Sequence, residues 1–176
     1  LVADARGWNL ERLSPTPTPE DEDRAVVVEH VRLTDAVVRV VRPERVWRFG
    51  GLTFAGTTEI GRRRTRVAVD ALAGVERGSG VRIEEAVGRI AIDDDAGIVA
   101  DGIRLRTTGS RLEGSGRIGP RPARAVDAHL VVAQLAGDEL RALFGARAPQ
   151  SDWEGALAAS GPESAVVITG DVHASV

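Results

Sequence analysis

Three adjacent aspartates, Asp93, Asp94 and Asp95, are the first residues of this chain that suggest chemistry. Carboxylates can cleave a glycosidic bond or hold a metal, but hydrolysis needs a second acid at a set separation across the substrate. The sequence places none nearby, and Ala96 and Gly97 make the trio a turn. Glu20, Asp21, Glu22 and Asp23 follow three prolines and lack the spaced ligands of a calcium loop, so they read as a solvated loop. His30, His129 and His173 are the only histidines, too scattered for a ligand set. Ser110, Ser115 and Ser160 lack a nucleophile elbow and a placeable base. Gly114, Gly116 and Gly119 spell a dinucleotide fingerprint, which works only where the turn opens a helix; Pro120, Arg121 and Pro122 follow instead. Arg62, Arg63, Arg64 and Arg66 read as a polar turn entering a strand, with a lipid-phosphate or nucleic-acid contact as the functional alternative. No catalytic residue, metal site or cofactor is expected, and the chain is read as a non-enzyme.

The residues that remain are structural. Apolar types make up 43% of the 176 residues, yet Trp8, Trp47, Trp153, Phe49, Phe54 and Phe144 are the only aromatics, so the buried surface is lined by small aliphatic groups. All 23 basic residues are arginine, and cysteine is absent, which excludes disulfides and thiolate metal sites. A net charge of -3 argues against a nucleic-acid partner. No apolar run approaches the ~20 residues of a membrane span, and no signal peptide is visible. The chain opens on Leu1 and ends at Val176 inside a strand-like pattern, which leads us to expect a segment of a longer protein whose membrane anchor lies elsewhere.

Period-two alternation dominates the chain and predicts strands with one oily and one wet face. Val99, Ile103 and Leu105 mark one run, and Leu112, Gly114, Gly116 and Ile118 the next; Thr107 to Ser110 make the turn of this hairpin. Ala25–Leu33 and Ala36–Arg42 read as a second hairpin turning at Thr34 and Asp35 and ended by Pro43. Val46–Phe54 carries a bulge or kink at Gly50 and Gly51. Strands follow at Val67–Ala71, Val81–Ile92 and Ala123–Val132, the last with Val126, Ala128, Leu130 and Val132 opposite Asp127 and His129. Leu135, Leu140, Leu143 and Phe144 share one face of a short helix capped by Asp138, which must lie on the sheet or plug an end. Val31-Arg32-Leu33 is echoed 72 residues later by Ile103-Arg104-Leu105, the mark of a repeat. The expected organisation is a strand end and Pro/acidic loop over 1–24, a β unit over 25–149 with its helix near 136–145, and the start of a following β unit over 150–176.

Such a set of one-sided strands must meet a second sheet or curl around something apolar, and patterning alone leaves both open. The run LRTTGSRLEGSGRIG, Leu105 to Gly119, resembles the recurring leucine, polar, threonine, turn, serine, x, leucine, three residues, glycine segment of the AsmA-like proteins, specifically of the TamB branch, the translocation and assembly module of Gram-negative envelopes. The likeness extends over Val26 to Gly145, with Leu135–Phe144 in the place of that family's short helix. It implies a mainly β fold, antiparallel strands in a curved open sheet or trough of repeated units with one short helix. It also implies a periplasmic, inner-membrane-anchored protein of the cell envelope whose groove conducts phospholipid acyl chains between membranes, with an outer-membrane β-barrel partner and sheet edges able to pair with a client strand. The expected groove lining is Val38, Val40, Val67, Val69, Ile83, Ile90, Ile92, Ile103, Leu105, Leu112, Ile118 and Leu130. The competing expectations are a closed β-sandwich or β-solenoid serving as a structural or adhesion module without lipid, and a carbohydrate-processing enzyme built on Asp93–Asp95.

Overall fold

The structure, a computed structural model, describes residues 2–4, 7–8, 26–42, 45–122 and 124–175. The loop expected over Ser14–Arg24 and the strand stop at Pro43 lie outside the described residues. The chain is mainly β, a curved open antiparallel sheet with one short helix. Nine strands follow one another as a meander: β3 (Val26–Arg42), β4 (Arg45–Ile60), β5 (Arg64–Glu76), β6 (Arg82–Asp93), β7 (Gly97–Thr107), β8 (Arg111–Ile118), β9 (Ala125–Leu135), β10 (Asp152–Pro162) and β11 (Val167–Ser175). Each pairs with its sequence neighbours. Two short strands, β1 (Val2–Asp4) and β2 (Gly7–Trp8), extend the sheet past β3, with β1 parallel to it. The helix α1 (Gly137–Phe144) joins β9 to β10. Strands β10 and β11 continue the same sheet.

The hairpin expected at Thr34 and Asp35 is instead the middle of one 17-residue strand. Asp35 adopts φ 52° and His30 φ 57°, and the register with β4 shifts beside each of them. Aspartate is among the few non-glycine residues that visit this left-handed region readily, so it supplies the extra residue of a bulge without turning the chain. Val99 is the second correction. It pairs with Arg117 on the wet face, while Ile98 pairs with Ile118 and Ile103 with Gly114. Gly102, at φ 57°, is the extra residue that reverses the alternation between Ala100 and Ile103. The kink expected at Gly50 and Gly51 is present as a register shift between Gly50 and Thr53, with Gly51 at φ 59°.

The two segments that echo one another in sequence share this device. His30 precedes Val31 and Gly102 precedes Ile103, each at φ 57°, and the register shifts fall at Val28/Val31 and Ala100/Ile103. Burial is concentrated at the helix end of the sheet. Leu52, Val81 and Val132 are its buried apolar residues, accompanied by Glu76, Thr107 and Ser110.

Candidate functional site

Cross-strand partners share a face, so the register assembles the apolar surface residue by residue. One ladder runs Val28, Thr58, Val67, Ile90, Ala100, Gly116, Ala128, Ala159, Ile168. A second runs Leu33, Phe54, Leu72, Ala86, Leu105, Leu112, Val132, Gly155, Val172. A third joins Ile60, Thr65, Ile92, Ile98, Ile118 and Val126 near the opposite rim. No charged side chain interrupts any of them. Val67, Ile90, Ile92, Leu105, Leu112 and Ile118 stand in these ladders. Val69 opposes Gly88, Ile83 opposes Thr107, and Ile103 and Leu130 both oppose Gly114. Val38 and Val40 oppose Phe49 and Trp47. The structure therefore brings all of the expected lining residues onto one face.

That face is covered unevenly. Ile92 is 49% exposed and Ile168 68%, whereas Leu52 and Val132, at the helix end, are 6% and 5% exposed. At that end α1 spans from the β7–β8 turn to Trp47 of β4. Its Glu139 carboxylate accepts hydrogen bonds from Thr107 Oγ1 (2.5 Å), Ser110 Oγ (2.6 Å) and the Gly109 N–H (2.8 Å). Ser110 Oγ in turn accepts from the Ala136 N–H at 3.1 Å, and Asp152 accepts from the Gly137 N–H at 2.9 Å. At the far end the Phe144 ring meets Trp47 edge-on, with centroids 6.1 Å apart. Asp138 is not the helix cap: Ala136 occupies that position without a side-chain bond, and the first N–H groups are satisfied by Ser110 and Asp152 from outside the helix.

Thr107, Ser110 and Glu139 are the residues that sequence reasoning missed. The threonine and serine of the LRTTGS run have turn-forming chemistry, and their turn is also a receptor for a carboxylate. A glutamate in the first turn of a helix too short to stand alone is the signal in the sequence.

No family model matches the chain, nor does any curated protein or solved structure. Its chemistry must therefore be argued from its own residues.

Asp93 is occupied by its turn. Oδ1 accepts from the Asp95 N–H (2.9 Å) and the Ala96 N–H (3.0 Å), and Oδ2 from Arg64 Nε (3.0 Å). The Ala96 and Asp95 N–H bonds, aided by Arg64, hold its carboxyl below the ordinary aspartate range. Arg62 and Arg63 form the turn that enters β5 at Arg64. His30, His129 and His173 lie on β3, β9 and β11, and no cluster of metal-ligating side chains occurs among the described residues. Gly114 and Gly116 are strand residues facing Leu130 and Ala128, where a strand neighbour leaves little room for a Cβ.

A depression of about 620 Å³ is bordered by Asp70, Arg89, Asp101, Arg104, Glu113, Ser115 and His129, with Val69 and Ile103 also in its lining. Ser115 and His129 are cross-strand partners there, with no hydrogen bond between them. Without that bond the serine has no base in contact.

Proposed function

We propose that this chain is a non-enzymatic segment of a periplasmic lipid carrier of the AsmA-like, TamB type, holding phospholipid acyl chains against its apolar face. The observation that supports this reading is the run of unbroken apolar ladders across nine strands, uncovered away from α1. At about 4.8 Å between neighbouring strands, eight spacings give a floor of about 38 Å. The acyl chains of one leaflet span about half of a ~30 Å hydrocarbon core, so the floor exceeds the length of one lipid tail. A tail of about 16 carbons faces roughly 13 kcal/mol in water, at about 0.8 kcal/mol per methylene. An aliphatic wall offsets much of that without a polar contact that would fix one pose, as passage along a conduit requires.

The rest of the assembly belongs to the same proposal: an inner-membrane anchor outside this segment, delivery toward the outer membrane, and pairing of a sheet edge with a β-barrel partner. No helix among the described residues is long and apolar enough to cross a membrane. The test is lipid extraction from the purified chain. Val69→Asp and Ile90→Asp should each lower the co-purified phospholipid while the far-ultraviolet circular dichroism of the sheet persists. Lipid content unchanged by either substitution would refute the carrier; a well-folded wild-type chain free of lipid is the result expected of a passive β module.

A further inference from the structure

Both rims of the sheet carry arginines. At the rim away from α1 four are matched to acids: Arg64 with Asp93 and Arg124 with Glu163 at 3.0 Å, Arg66 with Glu59 at 3.3 Å, Arg63 with Asp95 at 3.8 Å. At the helix rim Arg106 pairs with Glu84 at 3.5 Å and with Glu85 at 3.8 Å, whereas Arg48, Arg77, Arg141 and Arg147 form no ion pair among the described residues. Three acids of this end of the fold are engaged by other donors. Glu76 accepts from Ser79 and the Arg48 N–H, Glu139 from the β7–β8 turn, and Asp152 from the Gly137 N–H.

Three of these arginines lie within three residues of the aromatic pair in sequence, and the fourth, Arg77, joins them through the backbone. Arg48 follows Trp47 in β4, and the Arg77 N–H donates to the Arg48 carbonyl at 2.7 Å. Arg141 precedes Phe144 by one helical turn, with its guanidinium against the Gln150 side chain, and Arg147 follows three residues later. Phe144 is 62% exposed although Trp47 touches its ring.

We propose that the helix rim docks on the surface of an anionic bilayer, with the arginines against headgroup phosphates and Phe144 entering the interface. The strand ends put side chains of both sheet faces at one rim, as contact with a flat surface requires. Aromatic rings beside cationic side chains suit the boundary between headgroups and acyl chains. An acidic protein surface would satisfy the arginines and leave Phe144 in water. A single-stranded nucleic acid would use both, and is the competitor in the test. Docking does not depend on the carrier reading, because the rim would bind whether or not the apolar face holds a tail.

The experiment is co-sedimentation of the purified chain with vesicles of phosphatidylcholine alone or mixed with phosphatidylglycerol, at low and high salt, with a fluorescent single-stranded oligonucleotide as a parallel ligand. Binding is expected only to the anionic vesicles and is lost in high salt. Arg48→Gln combined with Arg77→Gln should weaken it roughly twenty- to thirtyfold, at about fivefold for each arginine near an anionic surface. Phe144→Ala should weaken it further. Arg63→Gln combined with Arg124→Gln, at the other rim, should leave it unchanged, and an unchanged unfolding midpoint certifies each variant as folded. Equal binding to neutral vesicles, equal loss from the opposite-rim variant, absence of sedimentation, or tighter binding to the oligonucleotide would each overturn the proposal. Val69→Asp should retain sedimentation, so that failure of the carrier reading and failure of docking remain separable.

Discussion

Replacing Glu139 by alanine is the perturbation that most directly tests how this single-layer sheet is closed at one end. The carboxylate accepts three hydrogen bonds, two from the hydroxyls of Thr107 and Ser110 and one from the Gly109 N–H. Thr107 and Ser110 are 8% and 4% exposed, so water cannot replace the lost acceptor without the helix moving. A hydrogen bond to a charged group contributes about 1.5–3 kcal/mol net, and leaving a buried donor unsatisfied costs about 1–3 kcal/mol. The bonds share one carboxylate and are not additive. A loss of about 3–5 kcal/mol is expected, large against the 5–15 kcal/mol that typically holds a domain together. Glu139→Gln keeps one carbonyl oxygen and turns the other acceptor into a donor, so about 1–2 kcal/mol is expected there. Urea unfolding followed by far-ultraviolet circular dichroism measures both, with the midpoint shifting at constant slope if the compactness of the two states is unaltered. A Glu139→Ala midpoint within about 0.5 kcal/mol of wild type, the range of surface substitutions, would refute the clamp. It would mean that α1 is held by the Ala136 and Gly137 N–H bonds to Ser110 and Asp152 and by the Trp47–Phe144 contact.

The remaining predictions concern single residues. Burial by itself would raise the Glu76 carboxyl, but hydrogen bonds from the Ser79 hydroxyl and N–H and from the Arg48 and Gly78 N–H groups lower it from 4.5 to about 2. Its contribution is therefore complete above pH 4.5 and lost as the pH falls toward 2; acid titration of the unfolding free energy should show a loss of up to about 3 kcal/mol in that window, absent from Glu76→Gln. Gly102→Val places a β-branched residue at φ 57° and should cost about 1–3 kcal/mol by urea unfolding. Asp35→Gly, at φ 52°, should be neutral within about 0.5 kcal/mol; a large loss would mean that the aspartate side chain itself carries the bulge.

Alternation identified most strands, because a half-buried pleated surface imposes it wherever a strand is regular. Leu112, Gly114, Gly116 and Ile118 face Val132, Leu130, Ala128 and Val126 without interruption, as the pattern of β8 and β9 predicts. The helix was legible from Leu140, Leu143 and Phe144, but its attachment was not. Glu139 meets Thr107 across 32 residues of sequence, and a contact of that separation leaves no local pattern. The same holds for the ion pairs of the rims, since whether an arginine finds an acid depends on which turn the register sets beside it. Thr34 and Asp35 have turn-forming chemistry, and their identity alone does not distinguish a bulge inside one strand from a reversal between two.

A slip in the alternation is what distinguishes them, and it recurs along the chain. The apolar face uses Val26 and Val28, then Val31 and Leu33, then Ala36, Val38 and Val40, changing from even to odd and back at His30 and Asp35. It changes parity from Phe49 to Leu52 at Gly51, from Val69 to Leu72, and from Ala100 to Ile103 at Gly102. Each slip coincides with a register shift. A strand kept regular through any of these points would turn every apolar residue beyond it to water, so the extra residue is required for the ladders to continue. Bulges also bend the strand that carries them. Those at Val28/Val31, Ala55/Gly56, Val69/Leu72, Val87/Arg89 and Ala100/Ile103 fall in successive strand pairs from β3 to β8. One feature of the sequence, a period of two broken by single residues, thus accounts for both the continuity of the apolar face and the bending of the strands beneath it.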